Sequence, residues 1–181
     1  MTLQYTLNEN DFLQHQLYVA SKNKRIKQQR KRTWLIYSGS FLLLSLMFYQ
    51  SDNKFLTYYF LIFGLLFLCF FPFYQKWHYK NHYKKFINEN YKNRFGQAEN
   101  ISLTEDCIET KDITSESKLN LTAIENITET ADYFYIKMKA GGHLIIPKSG
   151  VESVDGLRDK LKRFANKLSI DFTLNLNWRQ N

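Results

Sequence analysis

Between Thr33 and Phe73 the chain carries two uncharged apolar runs, TWLIYSGSFLLLSLMFYQ and FLTYYFLIFGLLFLCFFPF, of 18 and 19 residues, separated only by Ser51-Asp52-Asn53-Lys54. At a helical rise of about 1.5 Å per residue each run is roughly 27 Å long, close to the hydrocarbon thickness of a bilayer. A soluble core hairpin keeps a polar face on its helices. A secretory leader has a shorter run near the N-terminus with a small-residue cleavage site. Leu, Ile, Phe and Val each favour insertion by roughly 0.3 to 0.6 kcal/mol at a helix centre, which outweighs Ser38, Ser40, Ser45 and Thr57. The expectation is a transmembrane helical hairpin with spans 33–50 and 55–73.

The net charge of +8 suggests nucleic acid until it is divided by region. Residues 1–96 hold 14 Lys and Arg against 4 Asp and Glu, whereas residues 97–181 hold 11 against 13. Seven of the 11 residues from Lys22 to Arg32 are basic, and Lys76, Lys80, Lys84, Lys85, Lys92 and Arg94 follow the second run. With no nucleic-acid reader motif beside it, this excess reads as a topology determinant and an attraction for anionic headgroups. It places both termini in the cytoplasm and the short loop outside. Lys22, Arg25, Arg30, Arg32, Lys76, Lys80 and Lys84 are the candidate lipid contacts. The chain's two cysteines, Cys69 and Cys107, fall in the second run and in the following domain, so free thiols are expected.

Ahead of the hairpin, Leu3, Tyr5 and Leu7 alternate with polar residues as a short strand does. Asn8 and Asp11 then mark a helix start near Glu9. No Pro or Gly stands before Gly39, so one helix is expected to run on into the first span. After Phe73, Tyr74, Trp77, Tyr79, Tyr83 and Phe86 stand among lysines, the pattern of a helix leaving a membrane, with its end expected near Gly96. His78 and His82 share a helical spacing, but no acidic or Cys ligand accompanies them, and no metal site is inferred.

Strands are expected at Ile101–Leu103, around Ile108, at Leu119–Leu121 and Ile124–Ile127, and on both sides of Ala140-Gly141-Gly142, a compact hairpin signal. Val154, Leu157, Leu161, Phe164 and Leu168 form the stripe of an amphipathic helix that closes a small sheet or half-barrel. Ile170, Phe172, Leu174, Leu176 and Trp178 alternate cleanly with polar residues. Such a strand needs cover, either from its own domain or the Leu3–Leu7 strand, or else from a partner reached by strand addition. The fold class is thus an α+β membrane protein. It divides into a strand and basic helix (1–32), a hairpin (33–73), a basic aromatic helix (74–96), a cytoplasmic domain (97–168) and a C-terminal strand (169–181).

The order of features resembles the YcxB-like family of bacterial two-span membrane proteins. The resemblance rests on Tyr5-Thr-Leu-Asn-Glu-Asn-Asp11, the two spans, Leu103-Thr-Glu-Asp106, Ala123-Ile-Glu-Asn-Ile127, Asp132-Tyr-Phe-Tyr-Ile136 and Leu144-Ile-Ile-Pro-Lys148. Cys107 and Leu121 depart from the family pattern, where Gly and Trp are common. The resemblance implies a cytoplasmic domain similar to a pleckstrin-homology (PH) fold, a bent sheet closed by a helix, located at the bacterial inner membrane. It implies no activity, and by analogy such folds bind lipids, peptides or proteins.

No phosphate-cradling glycine loop, HExxH, paired cysteines or Ser/Cys/His constellation is present, so neither catalysis nor a cofactor is expected. The acidic residues of the C-terminal domain fall in turns or at polar strand positions and read as solvated. Lys148, beside Pro147 at a strand end, is the best single contact for an acidic group. His143 reads as an exposed turn residue. The functional expectation is a non-enzymatic inner-membrane protein whose cytoplasmic module binds a protein partner or lipid headgroup. The alternative is an immunity protein neutralising a bacterial toxin at the membrane, a role compatible with small size, basicity and two spans.

Overall fold

A computed structural model describes residues 1–111 and 116–178, and is α+β, with four α-helices and two four-stranded sheets among them. The last three residues of the expected C-terminal strand, 179–181, lie outside this description. The chain forms two compact units, one of residues 1–15 and 87–181, the other of residues 16–86.

In the first unit, β1 (Thr2–Thr6), β2 (Ala98–Leu103), β3 (Cys107–Lys111) and β4 (Glu116–Asn120) form an antiparallel sheet in sequence order. Alternation sorts its faces: Leu3, Tyr5, Ile101, Leu103 and Ile108 are buried, while Thr2, Gln4, Glu109, Lys111 and Lys118 are exposed. β1 pairs with β2 from Thr2↔Ser102 to Thr6↔Ala98, so residues 92 or more positions apart along the chain complete one sheet. Gly150 allows β1 to approach so closely, because a Cβ there would lie 2.6 Å from that of Tyr5.

The second sheet has the order β7-β6-β5-β8, built from β5 (Ile124–Thr130), β6 (Tyr133–Met138), β7 (His143–Pro147) and β8 (Phe172–Asn175). The β6–β7 turn is the expected one, with Gly141 and Gly142 at φ +91° and +83°, a region other residues enter at a cost. Both faces of its β5–β6 pair are covered. On one, Tyr133 and Tyr135 meet α1 (Glu9–Lys22) through Asp11 and His15; on the other, Glu129 meets α4 (Val154–Leu168) through Arg158. The α4 stripe of Leu157, Leu161 and Phe164 is buried, each contributing roughly 1.5 to 3 kcal/mol. Ser153 caps the start of α4, and Ser169 ends it in a left-handed conformation (φ 53°) that returns the Ile170 N–H to the Ala165 carbonyl.

The C-terminal strand pairs with its own domain, parallel to β5 from Ile127↔Phe172 to Thr130↔Asn175. It is shorter than the alternation predicts, because the chain turns after Asn175 and the Trp178 N–H bonds the Asn175 carbonyl.

In the second unit, α2 (Lys24–Gln50) and α3 (Lys54–Asn90) pack along a seam of Trp34, Tyr37, Phe41, Ser45 and Phe48 against Thr57, Phe60, Phe67, Leu68 and Phe71. Gly64 leaves room for Phe41, whose Cβ lies 3.2 Å from where a Gly64 Cβ would stand. The expected single helix from Glu9 is in fact two. Asn23 turns its side-chain oxygen onto the N–H groups of Arg25 and Ile26 and so starts α2 afresh. α3 stops at Asn90, short of the expected end, and a 3-10 turn over Lys92–Arg94 leads to Gly96, whose positive φ (+69°) sends its N–H to the Leu7 carbonyl.

α3 is long and apolar enough to cross a membrane, with a mean hydropathy of 2.1 over its best stretch; among the described residues it is the one helix that meets that test. α2 falls short because Ser38, Gly39, Ser40 and Ser45 interrupt its apolar half and Tyr49-Gln50 closes it.

Candidate functional site

Three clusters hold the polar side chains that fold and sequence bring into question. The first is an ion triad. The fully buried Glu129 carboxylate accepts from Lys148 Nζ at 2.7 Å and from Arg158 Nε and Nη2 at 2.8 to 3.1 Å. Burial opposes the charge, but the hydrogen bonds from Arg158 and Lys148 outweigh it and hold the carboxyl below its usual range. Lys148 also donates to the Thr130 carbonyl at 2.7 Å and stands over the Phe134 ring, and Arg158 also pairs with Asp155. Lys148 is thus turned inward, its side chain 15% exposed and its ammonium satisfied by its own domain. Glu129 corrects the reading of the acidic residues as solvated. Its inward parity with Ile127 was the available signal, obscured by the burial of Thr128 and Thr130 on either side.

The second cluster lies between α1 and the second sheet. His15, 9% exposed, places its ring 4.7 Å from that of His143 and 5.3 Å from that of Tyr135, and its Nε2 has no hydrogen-bond partner. Burial and then the charge of His143 push His15 from 6.5 down to about 3, and burial lowers His143 as well. His143 is accordingly half-buried at the start of β7, not exposed in a turn. One turn earlier on α1, Asp11 accepts from the Tyr133 hydroxyl at 2.8 Å and from the Asn8 N–H at 2.7 Å, while Asn8 Oδ1 accepts from the Asp11 N–H. This reciprocal cap fixes the helix start that Asn8 and Asp11 predict. No three His, Cys, Asp or Glu side chains among the described residues are grouped to hold a metal ion.

The third cluster is the basic end of the α2–α3 pair. Lys22, Arg25, Arg32, Lys76, Lys80 and Lys84 are exposed, and Lys22 stands 5.6 Å from the Tyr18 ring. Arg30 is half-buried, with its guanidinium 5.0 Å from the Tyr79 ring and its carbonyl accepting from Gln75 Nε2 at 3.2 Å. In the C-terminal strand, Phe172 lies under Lys162, Leu174 and Leu176 are 55% and 49% exposed, and Trp178 is half-buried past the turn.

By class the chain is α+β, with a buried ion triad where its second sheet meets α4. Residues 103–161 match the family model described as YcxB-like protein, and this stretch of the chain is a YcxB-like domain. The four motif pieces from Leu103 to Lys148 fall inside the match; the N-terminal motif and the apolar runs precede it. Neither a curated protein nor a solved structure matches the chain.

Proposed function

We propose that the chain is a two-span protein of the bacterial inner membrane, with both termini cytoplasmic and a non-enzymatic, PH-like cytoplasmic module that binds a protein partner or lipid headgroup. One observation carries the reading. β1 precedes the apolar runs and β2 follows them, yet the two strands pair residue for residue, which supports a hairpin whose two ends emerge on one side. The charge asymmetry selects the cytoplasm as that side. The antiparallel strands β1–β4 and β5–β7, with α4 after them, support a bent sheet closed by a helix, and β8 adds a parallel edge to the second set. The immunity alternative rests on size, charge and span number, and no feature of the fold favours it.

Reporter fusions test the topology. Alkaline phosphatase inserted at Asp52 is expected to be active, and a fluorescent protein at the C-terminus is expected to fluoresce. The reverse pattern, or a C-terminal phosphatase fusion that is active, overturns the reading.

A further inference from the structure

Residues 16–86 carry twelve Lys and Arg but a single carboxylate, Asp52, in the turn between α2 and α3. Lys54 stands beside Asp52 at that turn, and the other eleven lie toward the opposite end of the pair. Among them, Lys31 and Arg32 are exposed and make no ion pair with any described residue. With Gln28, Leu35 and Ile36 they line a shallow groove of about 370 Å³. At roughly 100° per residue these positions lie on one side of α2, away from Trp34, Tyr37, Phe41, Ser45 and Phe48, which meet α3. The groove is therefore an outer surface. Its lining is graded along the helix axis, an amide and two cations first and then, one turn on, two apolar side chains that are 53% and 55% exposed. A free anion would satisfy the first part only and a neutral alkyl chain the second only.

We propose that this groove binds one anionic phospholipid, its phosphate held between Lys31 and Arg32 and one acyl chain lying along Leu35 and Ile36. The proposal rests on the reading of α2 and α3 as a membrane hairpin and names a ligand for its basic end. Charge complementarity selects an anionic lipid over a zwitterionic one, because a trimethylammonium head would meet the cations that the phosphate needs. Gln28 supplies a neutral amide for the glycerol or ester oxygens.

The full chain in detergent, titrated with phosphatidylglycerol or phosphatidylcholine and followed by native mass spectrometry, tests the site. Wild type is expected to hold phosphatidylglycerol about tenfold more tightly than phosphatidylcholine. K31Q/R32Q should abolish that preference, while K27Q/K85Q, which removes the same charge at exposed positions outside the groove lining, should keep most of it. Equal loss in both double variants would mean diffuse attraction and overturn the site, as would displacement of the lipid by inorganic phosphate. Alkaline carbonate extraction of cell membranes separates the two readings. Release of wild-type protein defeats the hairpin itself, whereas retention without lipid preference defeats only the groove.

Discussion

Pro72 sits inside α3, where it has no N–H to offer the Leu68 carbonyl four residues back. The Trp34 indole N–H fills that vacancy from α2 at 3.2 Å. In the membrane setting proposed, an unanswered carbonyl has no water to turn to. Trp34→Phe should therefore weaken the α2–α3 pair by about 1 kcal/mol. In a Pro72→Ala background, which restores the intrahelical bond, the same change should cost much less; thermal unfolding in micelles of the four-membered cycle measures the coupling. His15 gives a second single-residue outcome. Its folded value of about 3 lies below the ordinary 6.5, so the unfolded chain takes up the proton first as pH falls. Its contribution is complete above about pH 7 and declines between 6.5 and 3. His143 acts with the same sign. His15→Phe keeps a ring against Tyr135 and should be nearly as stable as wild type at pH 7.5 while losing much of the decline by pH 5, as chemical denaturation at the two pH values would reveal.

Among the elements, α4 depends on a charge as well as on its apolar stripe. Glu129→Gln leaves Lys148 and Arg158 without their carboxylate in a poorly hydrated place, at a cost of about 3 kcal/mol, the low end for a buried pair because both cations keep some exposure. The folded carboxyl titrates below its usual 4.5, so the triad contributes fully above that pH and is lost as pH falls through the lower folded value. The denaturation midpoint of Glu129→Gln should accordingly drop at pH 7 and converge on wild type in acid. The same strand explains what the sequence conceals. Leu3, Tyr5, Ile101 and Leu103 obey a period of two because one face of their sheet is solvated. β5 and β6 have both faces covered, by α1 and α4, and a register shift between Ile124 and Asn126 breaks the alternation further, so neither Glu129 nor the inward turn of Lys148 could be read. The α4 stripe, the Gly141-Gly142 turn and the Asn8–Asp11 cap are local and were legible. The break at Asn23 was missed because its side chain can cap a helix or continue one, and the pairing of β8 with β5 is a long-range choice that local alternation leaves open.

At the scale of the whole molecule, the first unit is discontinuous in sequence, and its boundary does not follow the boundary that composition suggests. A domain cut at residue 97 would discard β1, with Leu3 and Tyr5 buried in the first sheet, and would also lose Asp11 and His15 against Tyr133 and Tyr135. It would lose Ile87 and Tyr91 too, the first fully buried and the second stacked on Phe12 at 5.1 Å. Losing that much apolar cover exceeds the margin of a small domain, whose net stability is only about 5 to 15 kcal/mol. Residues 97–181 alone should therefore expose the edge of β2 and aggregate. A chain joining residues 1–15 to 87–181 through a flexible Gly-Ser linker should instead be soluble, cooperative in thermal unfolding and protected from proteolysis, since every strand of both sheets is present. Restoring residues 1–7 alone to the 97–181 fragment, as an added peptide, tests the division of labour. Recovery of the fold by that peptide would assign the stabilisation to β1, whereas failure would assign it to the parts still missing, α1 with its contacts to β6 and the stretch holding Ile87 and Tyr91.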